Sequence, residues 1–179
     1  VSGALGESNT QTLFGGGQLD SDAQSGGRIK LNYWFDSCRR TGVEAMYLGI
    51  GKGSTHFNAT STGTPILARP YYDTATGMEA AMLVAHPDLM DGSISVVAST
   101  EFQVVDVLFR RALTRQCGTC VDLVAGWRTA RLDESLTFNQ QSEWTAVQSS
   151  VTPWTTRAVY DLFDVRNQFH GAELGLLVQ

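Results

Sequence analysis

Apolar and polar residues alternate one by one in several segments of the chain, and this is the period of a β-strand with one apolar and one polar face. The first such segment covers residues 28–36. Its apolar positions are Ile29, Leu31, Tyr33 and Phe35. A short polar turn at 37–42 separates it from a returning segment at 43–50. The pattern predicts a β-hairpin over residues 28–50.

The same organisation recurs twice along the chain. Residues 93–113 are extended in pattern, a short turn follows at 114–119, and residues 121–128 show the clearest alternation, continued by a strand piece at 132–138. Residues 155–165 and 169–178 read as a last pair of strands around Arg166, Asn167 and Gln168. We therefore expect about six strands, most of them near ten residues long.

Three segments lack this alternation. Residues 1–27 are rich in Gly and Ser and predict an N-terminal loop ahead of a sheet region at 28–179. Residues 51–92 predict a long loop, with room for short strands or a helical turn near 78–84, and residues 139–154 predict a second long loop. Short turns thus alternate with long loops at opposite ends of an antiparallel sheet, as in outer-membrane barrels.

The alternation assigns two faces to each predicted strand. In a transmembrane barrel the apolar face contacts lipid and the other face meets a watery lumen. The lumen-facing candidates are Arg28, Lys30, Asp36, Glu44, Asp106, Arg110, Asp122, Arg128 and Glu173. In a soluble β-sandwich or small barrel that binds a ligand or a protein, the apolar face would be the core instead. Periodicity alone leaves both alternatives open.

Composition narrows the function classes. The chain of 179 residues is 42% hydrophobic and 17% charged, which is too apolar for a disordered tail. Its net charge of -5 argues against nucleic acid as a partner. No apolar run is long enough for a transmembrane helix, and no nucleophile elbow is present. We expect no catalytic residue, no metal site and no cofactor.

Cysteine spacing offers one candidate site at the turn between two predicted strands. Cys117 and Cys120 have the spacing of a thioredoxin motif, but redox catalysis needs a helix N-terminus to lower the thiol pKa. A disulfide between Cys117 and Cys120 that closes the turn is the favoured interpretation, and a disulfide from Cys38 to either is an alternative. Metal binding by the three cysteines has no support from paired histidines.

Residues 63–70 are the most unusual part of the first long loop, because Pro65 and Pro70 flank an apolar stretch that ends at Arg69. One interpretation is a segment folded into the barrel mouth as a constriction to which Arg69 contributes charge. The other is a loop packed on the rim.

Several of these segments resemble a family of outer-membrane β-barrel proteins abundant in planctomycete bacteria, long described as a domain of unknown function. The resemblance rests on GGRIKLNYWFD (26–36), GVEA (42–45), GTPILARP (63–70), VDVLFR (105–110), GWR with RLDE (126–134) and RNQFHGAELG (166–175). It implies a larger barrel of which this chain is the N-terminal part, located in a bacterial outer membrane. It implies no catalytic residues.

These observations predict an outer-membrane pore or structural component without catalysis. Six strands are too few to close a membrane barrel, which needs about eight, so further strands must follow Gln179 or come from other chains. The expected partners are outer-membrane lipid and, as an alternative, copies of the protein itself or other envelope proteins.

Overall fold

The protein is described by a computed structural model that covers residues 3–17, 23–116, 118–146 and 151–178. Seven strands form within these ranges: β1 (Gly26–Trp34), β2 (Thr41–Ser61), β3 (Leu67–Asp73), β4 (Met78–Ala85), β5 (Met90–Gln116), β6 (Thr119–Trp144) and β7 (Thr156–Val178). In the described ranges no helix is long and apolar enough to cross a membrane.

Five strands form one antiparallel sheet in the order β1-β2-β5-β6-β7, and β3 and β4 form a separate two-stranded hairpin. The predicted antiparallel all-β class is confirmed. In the part of the chain that the structure describes the sheet is not closed, which is consistent with part of a larger barrel.

Two compact units share the strands. The first comprises Val1–Ser21, Ser54–Ser99 and Ser135–Phe163, and the second comprises Asp22–Gly53, Thr100–Glu134 and Asp164–Gln179.

The long loop predicted over residues 51–92 is wrong for most of its length. Strand β2 continues to Ser61, β3 and β4 follow, and β5 begins at Met90. The helical turn considered near 78–84 is strand β4, because cross-strand pairing such as Tyr72 with Glu79 overrides the helix propensity of its Ala and Met residues. Hydropathy alternation is weak over residues 52–60, because the exposed side chains there are polar and most of the covered ones are small or polar.

The last part of the chain is also more extended than predicted. Strand β6 continues through Trp144, so only residues 145–155 connect it to β7. The turn expected at Arg166–Gln168 is absent, and β7 is one strand of 23 residues. Arg166 instead lies in the strand with its side chain exposed, and its Nε donates a 3.0 Å hydrogen bond to Asp133. By contrast, residues 3–17 contain turns and bends without a strand, as predicted.

The second unit has an inverted distribution of side chains. Its exposed residues include large apolar side chains on alternate positions, namely Ile29, Leu31, Tyr33, Val105, Val107, Phe109, Trp127, Leu174, Leu176 and Val178. Its buried residues include Glu44, Asp106, Arg110 and Asp122. A soluble sandwich would bury the first set and expose the second. The observed distribution is the reverse of this, and it is the one expected of strands with an apolar face toward lipid.

The first unit has a small apolar cluster. Leu67, Val84 and Ala85 of the β3–β4 hairpin form a buried cluster that packs against Ala59 and Ile94 of the sheet. The exposed positions of β2 in this unit are polar, namely Ser54, His56, Asn58 and Thr60. The exposed face of β2 is therefore suited to water here, whereas β7 still exposes Tyr160 and Leu162.

Substituting Leu174, which is 78% exposed, distinguishes a lipid-facing surface from a water-facing one. Leu174→Arg is expected to lower the free energy of unfolding by about 2–4 kcal/mol in vesicles, because a cation on the lipid face is costly. Reversible unfolding by guanidinium in lipid vesicles measures this. The matched control is Asn58→Arg, at an exposed polar position, with an expected change within about 0.5 kcal/mol. Equal, small effects of the two substitutions would contradict lipid contact at Leu174.

Candidate functional site

A buried ion-pair cluster lies on one face of the sheet in the second unit. Arg110 of β5 donates from Nη1 to Glu44 of β2 at 2.9 Å and from Nη2 to Asp122 of β6 at 2.8 Å. The three side chains are almost fully buried, with 7% of Arg110 and 3% of Asp122 exposed. The guanidinium also lies 5.2 Å from the ring centre of Trp34. Because β2, β5 and β6 are neighbours in the sheet, Glu44, Arg110 and Asp122 lie opposite one another across the strands and can pair.

Two further cations surround this cluster. Lys30 Nζ of β1 lies 2.5 Å from Glu44, and Arg115 Nη2 of β5 lies 3.2 Å from Asp122. Both cations are partly exposed. Each buried carboxylate therefore pairs with the buried Arg110 and with a second cation that is in contact with water. Three cations and two carboxylates leave this cluster with a net charge of +1.

A second cluster joins β5, β6 and β7. Arg128 holds the buried Asp106 with two hydrogen bonds of 2.7 and 3.0 Å and forms a 3.1 Å ion pair with Glu173. One cation and two carboxylates give a net charge of -1. The two clusters therefore balance each other, and the charged face of the second unit is close to neutral.

Seven of the nine predicted lumen-facing residues meet in these two clusters: Lys30, Glu44, Asp106, Arg110, Asp122, Arg128 and Glu173. Arg28 is exposed in β1, and it has no ion pair with any described residue. The sequence analysis missed Arg115 and Trp34. Arg115 falls in a segment predicted as a turn, and Trp34 interrupts the polar face of β1, so the alternation pointed to neither.

Asp36 is a correction to the predicted set, because it lies in the turn between β1 and β2 rather than on a strand. Its carboxylate accepts hydrogen bonds from the backbone N–H of Arg40 at 2.9 and 3.0 Å and of Thr41 at 2.8 Å. The Arg40 N–H is the largest cause that lowers the pKa of Asp36 below its ordinary value. Asp36 thus stabilises the turn, as Asp side chains often do.

Arg69, the predicted constriction residue, lies in β3. Its guanidinium forms an ion pair with Asp161 of β7 and lies 4.4 Å from the ring centre of Phe138 of β6. The segment before it is ordered by the Ser61 hydroxyl, which donates to the Pro65 carbonyl at 2.6 Å. Asp161 compensates the charge of Arg69, and the role of residues 63–70 as a constriction stays a prediction.

Further contacts fix the β3–β4 hairpin on the sheet. The Leu83 carbonyl accepts hydrogen bonds from Arg157 at 2.5 Å and from Gln140 at 3.4 Å. Gly92 of β5 allows close approach, since a Cβ there would lie 2.0 Å from the Val84 carbonyl oxygen. With Arg69, these contacts connect the hairpin to β5, β6 and β7.

The predicted cysteine site is described only in part. Cys38 is exposed, Cys120 is half-buried, and no disulfide joins these two residues. Cys117 lies outside the described residues, so the Cys117–Cys120 disulfide stays a prediction.

Comparison with known families agrees with this geometry. The model of the family described as "Putative beta barrel porin-7 (BBP7)" matches residues 1–179. The chain belongs to this family. Comparison with curated proteins found no match. Membership in a β-barrel porin family confirms the predicted resemblance in its fold, and the planctomycete origin stays a prediction.

The porin family also explains the arrangement of charges in the second unit. A porin strand has an apolar face toward lipid and a polar face toward the lumen. The paired charges and the exposed apolar residues of the second unit have this division.

Removing the central cation tests the buried cluster. Arg110→Met is expected to lower the free energy of unfolding by about 3 kcal/mol, the lower end for breaking a buried pair, because Lys30 and Arg115 still compensate the carboxylates. Lys30→Met, at the partly exposed end, is expected to cost at most about 1 kcal/mol. Unfolding in vesicles followed by tryptophan fluorescence measures both. A loss for Arg110→Met no larger than that for Lys30→Met would show that the cluster does not stabilise the sheet.

The Asp36 turn predicts a pH dependence. Because the pKa of Asp36 is lower in the folded protein, its carboxylate contributes stability above the unfolded pKa and loses this contribution as the pH falls through the folded pKa. Asp36→Asn should therefore lower the melting temperature at pH 7, and the difference from the parent protein should vanish below the usual Asp range. Melting curves from pH 7 to pH 2 measure this, with Asp88→Asn as an exposed control. A difference that does not depend on pH would contradict the role of the charge.

Proposed function

We propose that this chain forms part of the wall of a passive pore in a bacterial outer membrane and carries out no catalysis. One observation supports the proposal most directly: in the second unit, ion-paired charges are buried while large apolar residues are exposed. Backbone groups in a bilayer must be paired within the protein, and a sheet satisfies this when it is part of a closed barrel. The division of side chains then separates lipid from a water-accessible lumen.

An exposed apolar stripe runs along β5. Val105, Val107 and Phe109 are exposed on alternate positions over about 13 Å of extended strand, and the same face continues with exposed Arg111 and Leu113. Trp127 stacks on His170 with ring centres 6.5 Å apart, as expected for an interfacial aromatic girdle. We infer that outer-membrane lipid is the main partner of this surface, with copies of the protein or other envelope proteins as the alternative.

The near neutrality of the charged face bears on selectivity. Pore selectivity depends on rings of unpaired charge or on narrow constrictions. The carboxylates Glu44, Asp106 and Asp122 all have cationic partners. The proposed pore should therefore discriminate weakly between small cations and anions.

We further propose that the β3–β4 hairpin narrows the lumen. The hairpin contacts β2 through Ala59, β5 through Ile94, β6 through Phe138 and Gln140, and β7 through Asp161 and Arg157. Four neighbouring strands span about 14 Å, and a single hairpin touches all four most readily on a concave face. The concave face of a barrel wall is its lumenal face. A fully closed lumen would make the protein a structural component, which is the second candidate function.

Planar-bilayer recording of the full-length protein tests both proposals. Replacing residues 67–85 by a short Gly-Ser linker should raise the single-channel conductance at least twofold, because the narrowing element is removed. The control is Arg166→Ala, which changes an exposed arginine of β7 and should leave the conductance unchanged.

The outcomes separate the candidates. Conduction only after removal of the hairpin supports the structural component with a closed lumen. Absence of conduction by both forms, with the barrel shown intact by heat-modifiable migration in electrophoresis, would overturn the pore. Equal conductance of both forms would overturn the hairpin's role.

A further inference from the structure

A cavity of about 430 Å³ lies within the first unit, between the N-terminal segment and the sheet. We name residues 3–14 the strap, since they form one wall of the cavity. The other walls come from β2, β3, β5, β6 and the segment before β3. The apolar side chains around the cavity include Leu13, Phe14, Phe57, Ile66, Ile94 and Phe138. Its size falls in the range of pockets that bind small molecules.

The strap is attached at both ends and spans the cavity between them. Near its start, a Cβ on Gly3 would lie 2.3 Å from the Cβ of Ala68, so only glycine fits against β3, and Ala4 is buried. At its other end, the Phe14 ring stacks on Phe57 of β2 with ring centres 5.3 Å apart. Leu5, Leu13 and Ile66 on its walls are exposed, so the cavity is partly open to solvent and the strap covers part of it.

The charged groups at the cavity define what it can bind. Arg69 faces it with a guanidinium already paired to Asp161. Glu7 also lines it and has an interaction partner of its own. Neither group offers an uncompensated charge, and desolvating a charged ligand against the apolar part of the wall is costly. The polar residues that the strap adds, Ser8, Asn9, Thr10, Gln11 and Thr12, are uncharged. Aromatic rings of the strap, β2 and β6 favour flat apolar ligands.

From this we propose that the cavity is a binding site for a small uncharged, mainly apolar molecule with an aromatic ring, and that the strap covers it. The site does not depend on conduction, because all of its walls belong to the first unit. A molecule bound there touches the strap, the segment before β3 and β6 together, so it links three parts of the chain.

The probe for this site is N-phenyl-1-naphthylamine, a neutral aromatic fluorophore, added to the full-length protein in detergent. Partition into micelles rises linearly with the probe, whereas the cavity should add a saturable component of one probe per chain. Ile66→Trp and Leu13→Trp, two partly exposed positions on the cavity wall, should each weaken this component at least tenfold by filling the space. Leu162→Trp, at an exposed leucine outside the wall, is the matched control and should bind like the parent protein.

A second measurement tests the role of the strap and the charge of the ligand. Phe14→Ala removes the stacking on Phe57 and should accelerate probe dissociation at least fivefold. The anionic probe 1-anilinonaphthalene-8-sulfonate should bind at least tenfold more weakly than the neutral one. The proposal is overturned if no saturable component exists, if both cavity variants retain it while folded by circular dichroism, or if the anion binds as well as the neutral probe.

Discussion

The placement of Arg110 between Glu44 and Asp122 is the interaction on which the second unit depends. A sheet whose exposed face is apolar must collect its charged residues on the other face, and charges buried there are tolerated only with partners. Each carboxylate of the cluster therefore bonds to a cation on a neighbouring strand, so ion pairs link β1, β2, β5 and β6 across the backbone ladder. Together with the Arg128 cluster, these pairs make the charged face of the second unit nearly neutral.

The central strands are longer than a membrane span requires. A membrane strand needs only about 9–11 residues, yet β5 has 27 and β6 has 26. Along β2 the exposed positions change from Tyr47 to Lys52 and His56, so the strand continues after its apolar stretch has ended. The part of the sheet beyond this stretch packs against the β3–β4 hairpin and the strap.

The sequence predicts the two faces of a strand where apolar and polar residues alternate with the strand's own period of two residues. Residues 29–35, 121–127 and 172–178 alternate in both, so their two faces follow from the pattern, and the alternation there assigns Lys30, Asp122 and Glu173 to the charged face. It is uninformative where both faces are polar or small, as at 52–60 and 139–144, because strand pairing there leaves no hydropathy signal. The placement of Asp36 was predicted wrongly for another reason. Its position in the sequence continues the alternation of β1, but hydrogen bonds from the backbone N–H groups of Arg40 and Thr41 hold its side chain in the turn.

The contacts of the hairpin could not be inferred from the sequence at all. Arg69 and Asp161 are 92 residues apart, and neither belongs to an alternating stretch that would assign it a partner. The hairpin carries the buried apolar cluster of the first unit, and Arg69 and the Leu83 carbonyl add polar contacts to β6 and β7. All of these contacts join residues far apart in the chain, so none of them leaves a local hydropathy pattern. The position of the hairpin on the sheet is therefore set by tertiary packing and not by any period in the sequence.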